Sequence, residues 1–267
     1  MDYVMKQQKD ELAGCFIFRA DHILVREGEG LIFPQVRSPE DLGIDSLCRY
    51  ELPANGVGRW AAAAVAESVN PPNGYSFVRL RSLFGNAPDE LFWAAGHGYQ
   101  IMEWDRTTRF CGSCGAQTEH RAEELVAVCT ACGYEQYPRV SPAMICAVVR
   151  DGQILLAQNA RYRGGRYSVL AGFVESGESL EECVAREVME ETGISVRDVE
   201  YFGSQPWPFP HNLMVGFTAK WDSGEVKADE RELVDAGWYA PDALPELLPP
   251  PPTIARALID WFVRTHR

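Results

Sequence analysis

The sequence predicts a chain of mixed α and β structure, α+β or α/β in class, built as roughly two domains with a small cysteine-bearing module between them. Three observations predict this. A chain of 267 residues is longer than one domain of about 100–200 residues needs. Short apolar or alternating runs of strand length recur at 15–18, 22–25, 75–80, 143–149, 154–157 and 213–221, with stretches of helical character between them. Two matched CxxC pairs stand between the halves. Composition agrees, since 46% hydrophobic and 24% charged residues are ordinary for a globular protein.

Residues 1–105 read as a small N-terminal α+β domain, with helices expected at 59–68, RWAAAAVAES, and at 87–104. Gly, Pro and acidic clusters separate its strands, and no catalytic signature stands in it. Residues 1–14 are polar and charged, without the apolar centre of a secretory signal. The KDEL run that begins at Lys9 is internal, so it cannot act as a retention signal. No apolar run approaches the ~18 residues of a membrane span. The expectation is a soluble, cytoplasmic protein without a membrane partner. A formal charge of −13 repels polyanions at long range. That argues against a general nucleic-acid binder and leaves room for a small anionic substrate met through metal ions and local arginines.

Residues 106–136 carry Cys111 and Cys114, then fourteen residues, then Cys129 and Cys132. Each pair is followed by a glycine, Gly115 and Gly133, which permits the tight turn. Two such knuckles read as a zinc ribbon with one Zn²⁺ per chain. Four thiolates fill a tetrahedral sphere and leave no open position, so the ion is expected to be structural. The rival reading is a nucleic-acid contact, but Glu119, Glu123 and Glu124 make a poor surface for phosphate. A redox CxxC would not need the second, matched pair. The other four cysteines, Cys15, Cys48, Cys146 and Cys183, are scattered and expected to be reduced.

Residues 137–267 form the last domain. A strand at 143–149, a hairpin turn at Asp151 and Gly152, and a returning strand at 154–157 open it. The loop at 161–166 sets Arg161, Arg163 and Arg166 beside two glycines, either to neutralise phosphate or as a basic surface loop. A strand at 168–170 then feeds Gly172. Ser179 with Glu182 makes a capping box, and Gly193 stands where a helix ends. On a wheel of 3.6 residues per turn, Leu180, Cys183, Val184 and Val188 form the apolar stripe. Glu187 and Glu191 fall on that same stripe, with Glu190 close to it. A solvated acidic face would turn them to water instead. Carboxylates aimed inward need a proton or a cation, and two acids one turn apart can share one ion. Oxygen ligands of this kind suit Mg²⁺ or Mn²⁺.

Beyond a strand at 199–202, residues 204–212 alternate prolines with aromatics and read as a stiff, extended segment presenting flat rings. Taken alone, that could equally be a rigid linker. Leu213, Val215, Phe217, Ala219 and Trp221 alternate as a half-buried strand, with a turn at 222–224. Prolines at 249–252 lead into a closing helix at 253–264.

Gly172, Glu178 and the run from Arg186 to Ile194 fill every specified position of GX5EX7REUXEEXGU. This resembles the Nudix box. The resemblance implies a hydrolase of a nucleoside diphosphate linked to another moiety, dependent on Mg²⁺ or Mn²⁺. It also implies an α/β/α sandwich around a mixed sheet for 137–267. The segment Gln205, Pro206, Trp207, Pro208, Phe209, Pro210, His211, Asn212 is similar to the SQPWPFPxS signature of the NADH pyrophosphatase (NudC-type) subfamily, with Asn212 in place of the last serine. Asn is longer than Ser and offers both a donor and an acceptor.

With the ribbon, these motifs point to that subfamily and imply its site. The metal ligands are then Glu187, Glu190, Glu191, Glu232 and the carbonyl of Ala171. Glu190 is either a further ligand or the base, and Glu178 either a ligand or the partner that orients Arg186. The implied substrate residues are Arg81, Glu124, Tyr137, Phe173, the 205–212 segment and Ala255. Phe173, Trp207 and Phe209 would stack against nicotinamide, and Glu124 and Tyr137 would reach across a homodimer interface. The implied reaction cuts NADH, and less well NAD⁺, to nicotinamide mononucleotide and AMP. The same cut would remove an NAD cap from RNA and leave a 5′-monophosphate. Two rival readings are a broader dinucleotide or ADP-ribose pyrophosphatase and a non-catalytic nucleotide sensor or adaptor on the same scaffold.

Overall fold

The computed structural model describes residues 12–26, 28, 32–54, 56–121, 124–160, 164–229 and 231–266. Lys9, Glu123, Arg161 and Arg163, each named above, lie outside the described residues. The chain forms two compact units, Met1–Arg139 with Pro208–Pro210, and Val140–Trp207 with His211–Arg267.

In the first unit, β1 (Gly14–Arg19), β2 (His22–Arg26), β3 (Ser46–Glu51), β4 (Trp60–Val65) and β5 (Tyr75–Arg79) form one sheet in the order β3-β4-β1-β2-β5. β1 and β4 run parallel, and the other pairs are antiparallel. Successive side chains on a strand face opposite ways. Phe16, Phe18, Ile23 and Ala62 therefore pack with Phe92, Ala95 and Ile101 of α1 (Asp89–Thr107), while Cys15, Ile17, Leu24 and Ala61 build a second cluster. The acids Asp89 and Glu90 in the first turn of α1 complement its dipole.

The helix expected at 59–68 is instead strand β4, which lies between β1 and β3. Alanine favours helices, but a central strand covered on both faces also reads as a continuous apolar run. Small side chains are needed there because α1 comes close: a Cβ on Gly98 would lie 2.9 Å from the Cβ of Ala62. The ribbon strands β6 (Thr118–His120), β7 (Ala127–Cys129) and β8 (Glu135–Gln136) form a separate antiparallel sheet.

The second unit holds β9 (Ser141–Arg150), β10 (Gln153–Asn159), β11 (Tyr167–Ser168), β12 (Leu170–Phe173), α2 (Leu180–Thr192), β13 (Ser195–Trp207), β14 (Asn212–Ser223), β15 (Leu233–Tyr239) and α3 (Ile254–Thr265). The sheet runs β11-β10-β9-β14-β13, with β12 on β9 and β15 on β10. β9 and β14 are parallel within an otherwise antiparallel set, so the sheet is mixed. Alternation along β9 sends Met144, Cys146 and Val148 toward the cluster under α2, and Ile145 and Ala147 toward the cluster under α3. A helix therefore covers each face, which is the α/β/α sandwich.

Asp151 and Gly152, at φ 48 and 77, make the tight β9–β10 turn. The strand expected at 199–202 is longer and absorbs the first half of the proline segment. Gln205, Pro206 and Trp207 pair with Met214, Leu213 and Asn212, so the segment is one arm of a hairpin and not a free extended stretch. Proline is tolerated because β13 is the edge strand. The scattered cysteines are free, with Cys15, Cys146 and Cys183 buried and Cys48 half-buried. No helix of the described residues is long and apolar enough to cross a membrane.

Candidate metal and substrate site

Helix α2 begins at a complete capping box: the Ser179 hydroxyl accepts from the Glu182 amide at 3.2 Å, and the Glu182 carboxylate accepts from the Ser179 amide at 2.7 Å. Gly193 closes it at φ 72. Cys183, Val184 and Val188 are fully buried, as an amphipathic helix requires, and Glu191 is buried with them at 5% exposure. Glu187 lies over β12, where a Cβ on Gly172 would overlap the Glu187 carboxylate. Glycine at the head of the box is thus a steric requirement.

Arg186 organises the neighbouring acids. Its guanidinium forks onto Glu178 at 2.7 and 3.0 Å and donates to the Phe173 carbonyl at 3.0 Å. It also reaches Glu187 at 3.1 Å and Glu190 at 3.0 Å. Arg186 holds the Glu178 carboxyl well below its usual range, down to about 2. Glu178 is thus ion-paired with Arg186, and Glu190, 59% exposed on its side chain, stands on the outer side of the helix.

Glu191 has no such partner: among the described residues nothing donates to its carboxylate. Burial, then the charges of Glu187, Glu232 and Glu190, push it up to about 8. Burial also raises Glu187, against the pull of Arg186. Glu232 is tied to the end of α2 through the backbone. The Asp229 amide donates to the Glu191 carbonyl at 2.9 Å, and the Glu232 amide donates to the Asp229 carbonyl at 2.9 Å. Acidic oxygens gathered around a buried, unpaired carboxylate fit a hard divalent cation. They do not yet converge as a closed cage. Among the described residues the four ribbon cysteines are the only group of three or more His, Cys, Asp or Glu residues whose ligand atoms all lie within 4.8 Å of one another.

The ribbon fits zinc closely. Sγ–Sγ distances are 3.7 Å for Cys111 and Cys132 and 3.4 Å for Cys114 and Cys129. A tetrahedron with Zn–S near 2.3 Å has edges of about 3.8 Å. Amides of Cys132 and Ala131 point at the Cys129 sulfur, both at 3.4 Å, and hold its thiol down to about 6. Gly115 and Gly133 close the knuckles at φ 77 and 73.

The implied substrate residues fall into small groups. In the first unit, Glu124 and Tyr137 are joined through Arg121 and Glu135. Arg121 binds Glu124 at 3.4 Å and Glu135 at 2.7 Å, and the Tyr137 hydroxyl donates to Glu135 at 3.0 Å. Arg81 sits over the Phe209 ring, 5.0 Å from its centroid, and Pro208 is buried beside α1. Pro210 is exposed at that tip.

In the second unit, Gln205 donates to the Pro252 carbonyl at 2.8 Å and accepts from the Ile254 amide at 2.9 Å, which fixes the start of α3 and so Ala255. Pro206 and Trp207 continue β13 opposite Leu213 and Asn212. His211 faces the Ser141 hydroxyl at 3.1 Å, and Phe173, next to Gly172 at the end of β12, is 55% exposed. Ala171 pairs with Ile145, one step before Gly172 on β12. Arg166 is exposed. Sequence reasoning missed the Arg121–Glu135 link and the Gln205 cap, because both depend on neighbours far away in the chain.

Family models match in three consecutive stretches: a NADH pyrophosphatase-like rudimentary NUDIX domain at 12–104, a NADH pyrophosphatase zinc ribbon domain at 106–137, and a NUDIX domain at 139–262. The region that carried no catalytic signature thus matches a rudimentary Nudix-like domain, unreadable as such because it lacks the box. A relative from Pseudomonas aeruginosa, the NAD-capped RNA hydrolase NudC, is 41% identical over 261 residues, covering 95% of this chain and 90% of its own. The enzyme of the same name from Photorhabdus laumondii is 51% identical over 170 residues, covering 64% of this chain and 66% of its own. A NUDIX hydrolase structure from Nitrosomonas europaea, at 22% identity and TM-score 0.52, covers 59% of this chain and 92% of its own, and shows the fold.

Proposed function

Because the chain belongs to the NADH pyrophosphatase (NudC-type) subfamily of the Nudix hydrolases, we propose that it cuts the pyrophosphate of NADH, and less well of NAD⁺, to nicotinamide mononucleotide and AMP. The same reaction removes the NAD cap from RNA and leaves a 5′-monophosphate. The observation that carries the reading is Glu191: a carboxylate at 5% exposure, among other acids and without a donor, next to a complete Nudix box.

Glu187, Glu191, Glu232 and the Ala171 carbonyl would hold Mg²⁺ or Mn²⁺, with Glu190 as a further ligand or the base. When bound, the ion offsets the charge of the pyrophosphate, polarises the reacting phosphoryl group and activates the attacking water. The rest is positioning. Arg186 locks Glu178 and the Phe173 carbonyl together, so β12 and α2 keep one spacing. That spacing sets Gly172 of β12 against the Glu187 carboxylate. Gln205 joins the recognition segment to the start of α3, which keeps Ala255 in register with it. Exposed Phe173 offers a ring for stacking.

In this reading the enzyme acts in the cytoplasm as a homodimer. The exposure of Tyr137, 57%, on the arm shared with Glu135 supports a face that a second copy covers. Sedimentation of the purified protein checks that part. For the chemistry, Glu191→Gln is expected to cut turnover of NADH on the order of 100-fold or more while the circular dichroism spectrum is unchanged. An unchanged rate would remove Glu191 from the mechanism.

A further inference from the structure

The tip of the β13–β14 hairpin, Pro208–Pro210, belongs by its packing to the first unit. Its seat is built from three residues of that unit. A Cβ on Gly96 would lie 2.6 Å from Cγ and 3.3 Å from Cβ of Pro208, so the proline ring rests on bare helix backbone. Glycine within a helix is unfavourable, and a close approach is the usual reason to keep one. Phe92, one turn earlier on the same face, stands 6.4 Å from the Phe209 ring at an interplanar angle of 37°. Phe92 is itself fixed edge-on by Phe84 at 5.2 Å and Trp93 at 4.9 Å. Arg81 then covers Phe209, 5.0 Å from its centroid, from a short 3-10 turn whose Leu80 and Leu83 are buried.

We propose that Gly96, Phe92 and Arg81 are positioning residues that clamp the Pro208–Phe209–Pro210 tip, and that this clamp is what the N-terminal domain contributes to dinucleotide recognition. The proposal rests on the pyrophosphatase reading above. It gives Arg81 a role through Phe209 in place of direct contact with substrate. It also makes Phe209 an anchor of the recognition segment, which leaves the stacking role to other rings. A cation over a ring face and an aromatic neighbour at its side restrict how the ring can turn. A ring held in this way fixes the two prolines beside it, because their own φ angles are already set.

The test uses the full-length, zinc-loaded protein with NADH and Mn²⁺, and compares wild type with Gly96→Ala, Arg81→Met, Phe209→Leu and the Arg81→Met/Phe209→Leu double variant. Gly96→Ala is expected to raise KM for NADH by about 5-fold or more with a smaller change in kcat, the mark of lost binding and not lost chemistry. Amide hydrogen exchange should quicken in residues 204–212 of that variant. Arg81→Met and Phe209→Leu should each raise KM, and the double variant should be no worse than the poorer single one, as for residues that act as a unit. Multiplying effects would show that Arg81 meets the substrate by itself, and would overturn its assigned role. Gly96→Ala with the wild-type KM and exchange would overturn the seat. A wild-type protein that releases no AMP from NADH would overturn the pyrophosphatase reading, and with it the recognition role, whatever the exchange data show.

Discussion

Glu191, a proposed metal ligand, shows how one buried side chain links stability to pH. Its folded pKa lies near 8 against 4.5 for an ordinary glutamate, chiefly through burial. A carboxylate shifted upward stabilises the fold fully below its unfolded value, and that contribution is lost as pH rises through the folded value. Metal-free protein should therefore lose stability between about pH 4.5 and 8, more than a Glu191→Gln variant does. Melting curves in EDTA across that range check this. A divergence of several degrees is expected, since about 1 kcal/mol moves the midpoint of a domain of this size by about 2–4 °C. Parallel curves would mean that the carboxylate finds a donor. Arg186 gives a second prediction at this scale. Its fork serves Glu178, Glu187, Glu190 and the Phe173 carbonyl together, and lysine offers no planar fork. Arg186→Lys should lower kcat about 10-fold or more, as loss of an outer-shell partner commonly does. Wild-type kcat would reduce Arg186 to a surface ion pair.

At the scale of elements, the zinc ribbon gives the most direct prediction. Its strands β6 and β8 are three and two residues long, too short to hold a sheet by themselves, so the four sulfurs must carry the fold. Stripping zinc should lower the melting midpoint and speed amide exchange in residues 109–136, while pyrophosphate chemistry persists at first. A metal-free protein with an unchanged midpoint would contradict the staple. The same scale shows what the sequence made legible. Helix α2 could be read because its cap, its stripe and its closing glycine agree with one another. Strand β4 could not, because four alanines in a row carry no period and only the approach of α1 makes small residues necessary. Half of the proline segment became a strand because β13 lies at the sheet edge, a fact of pairing and not of local composition. The site divides likewise. The glutamates of the box are local in sequence and were legible, whereas Gln205 to Ile254 and Arg121 to Glu135 are joined only by folding.

Across the whole molecule, a net charge of −13 sits badly with long contacts to RNA but not with a small anionic substrate. In the proposed function, recognition falls on the dinucleotide end, held by a short segment, and charge compensation on a cation held by α2, β12 and Glu232. The three family matches run in sequence over nearly the entire chain, so the substrate class belongs to the assembly of domains and not to the Nudix box alone. The most direct test is product analysis of NADH and NAD-capped RNA incubated with the protein and Mn²⁺, with ADP-ribose in parallel and an EDTA control. The proposed function predicts AMP and nicotinamide mononucleotide from NADH, and 5′-monophosphate RNA from the capped transcript, all abolished by EDTA. Intact NADH and intact capped RNA alongside cleaved ADP-ribose would contradict it.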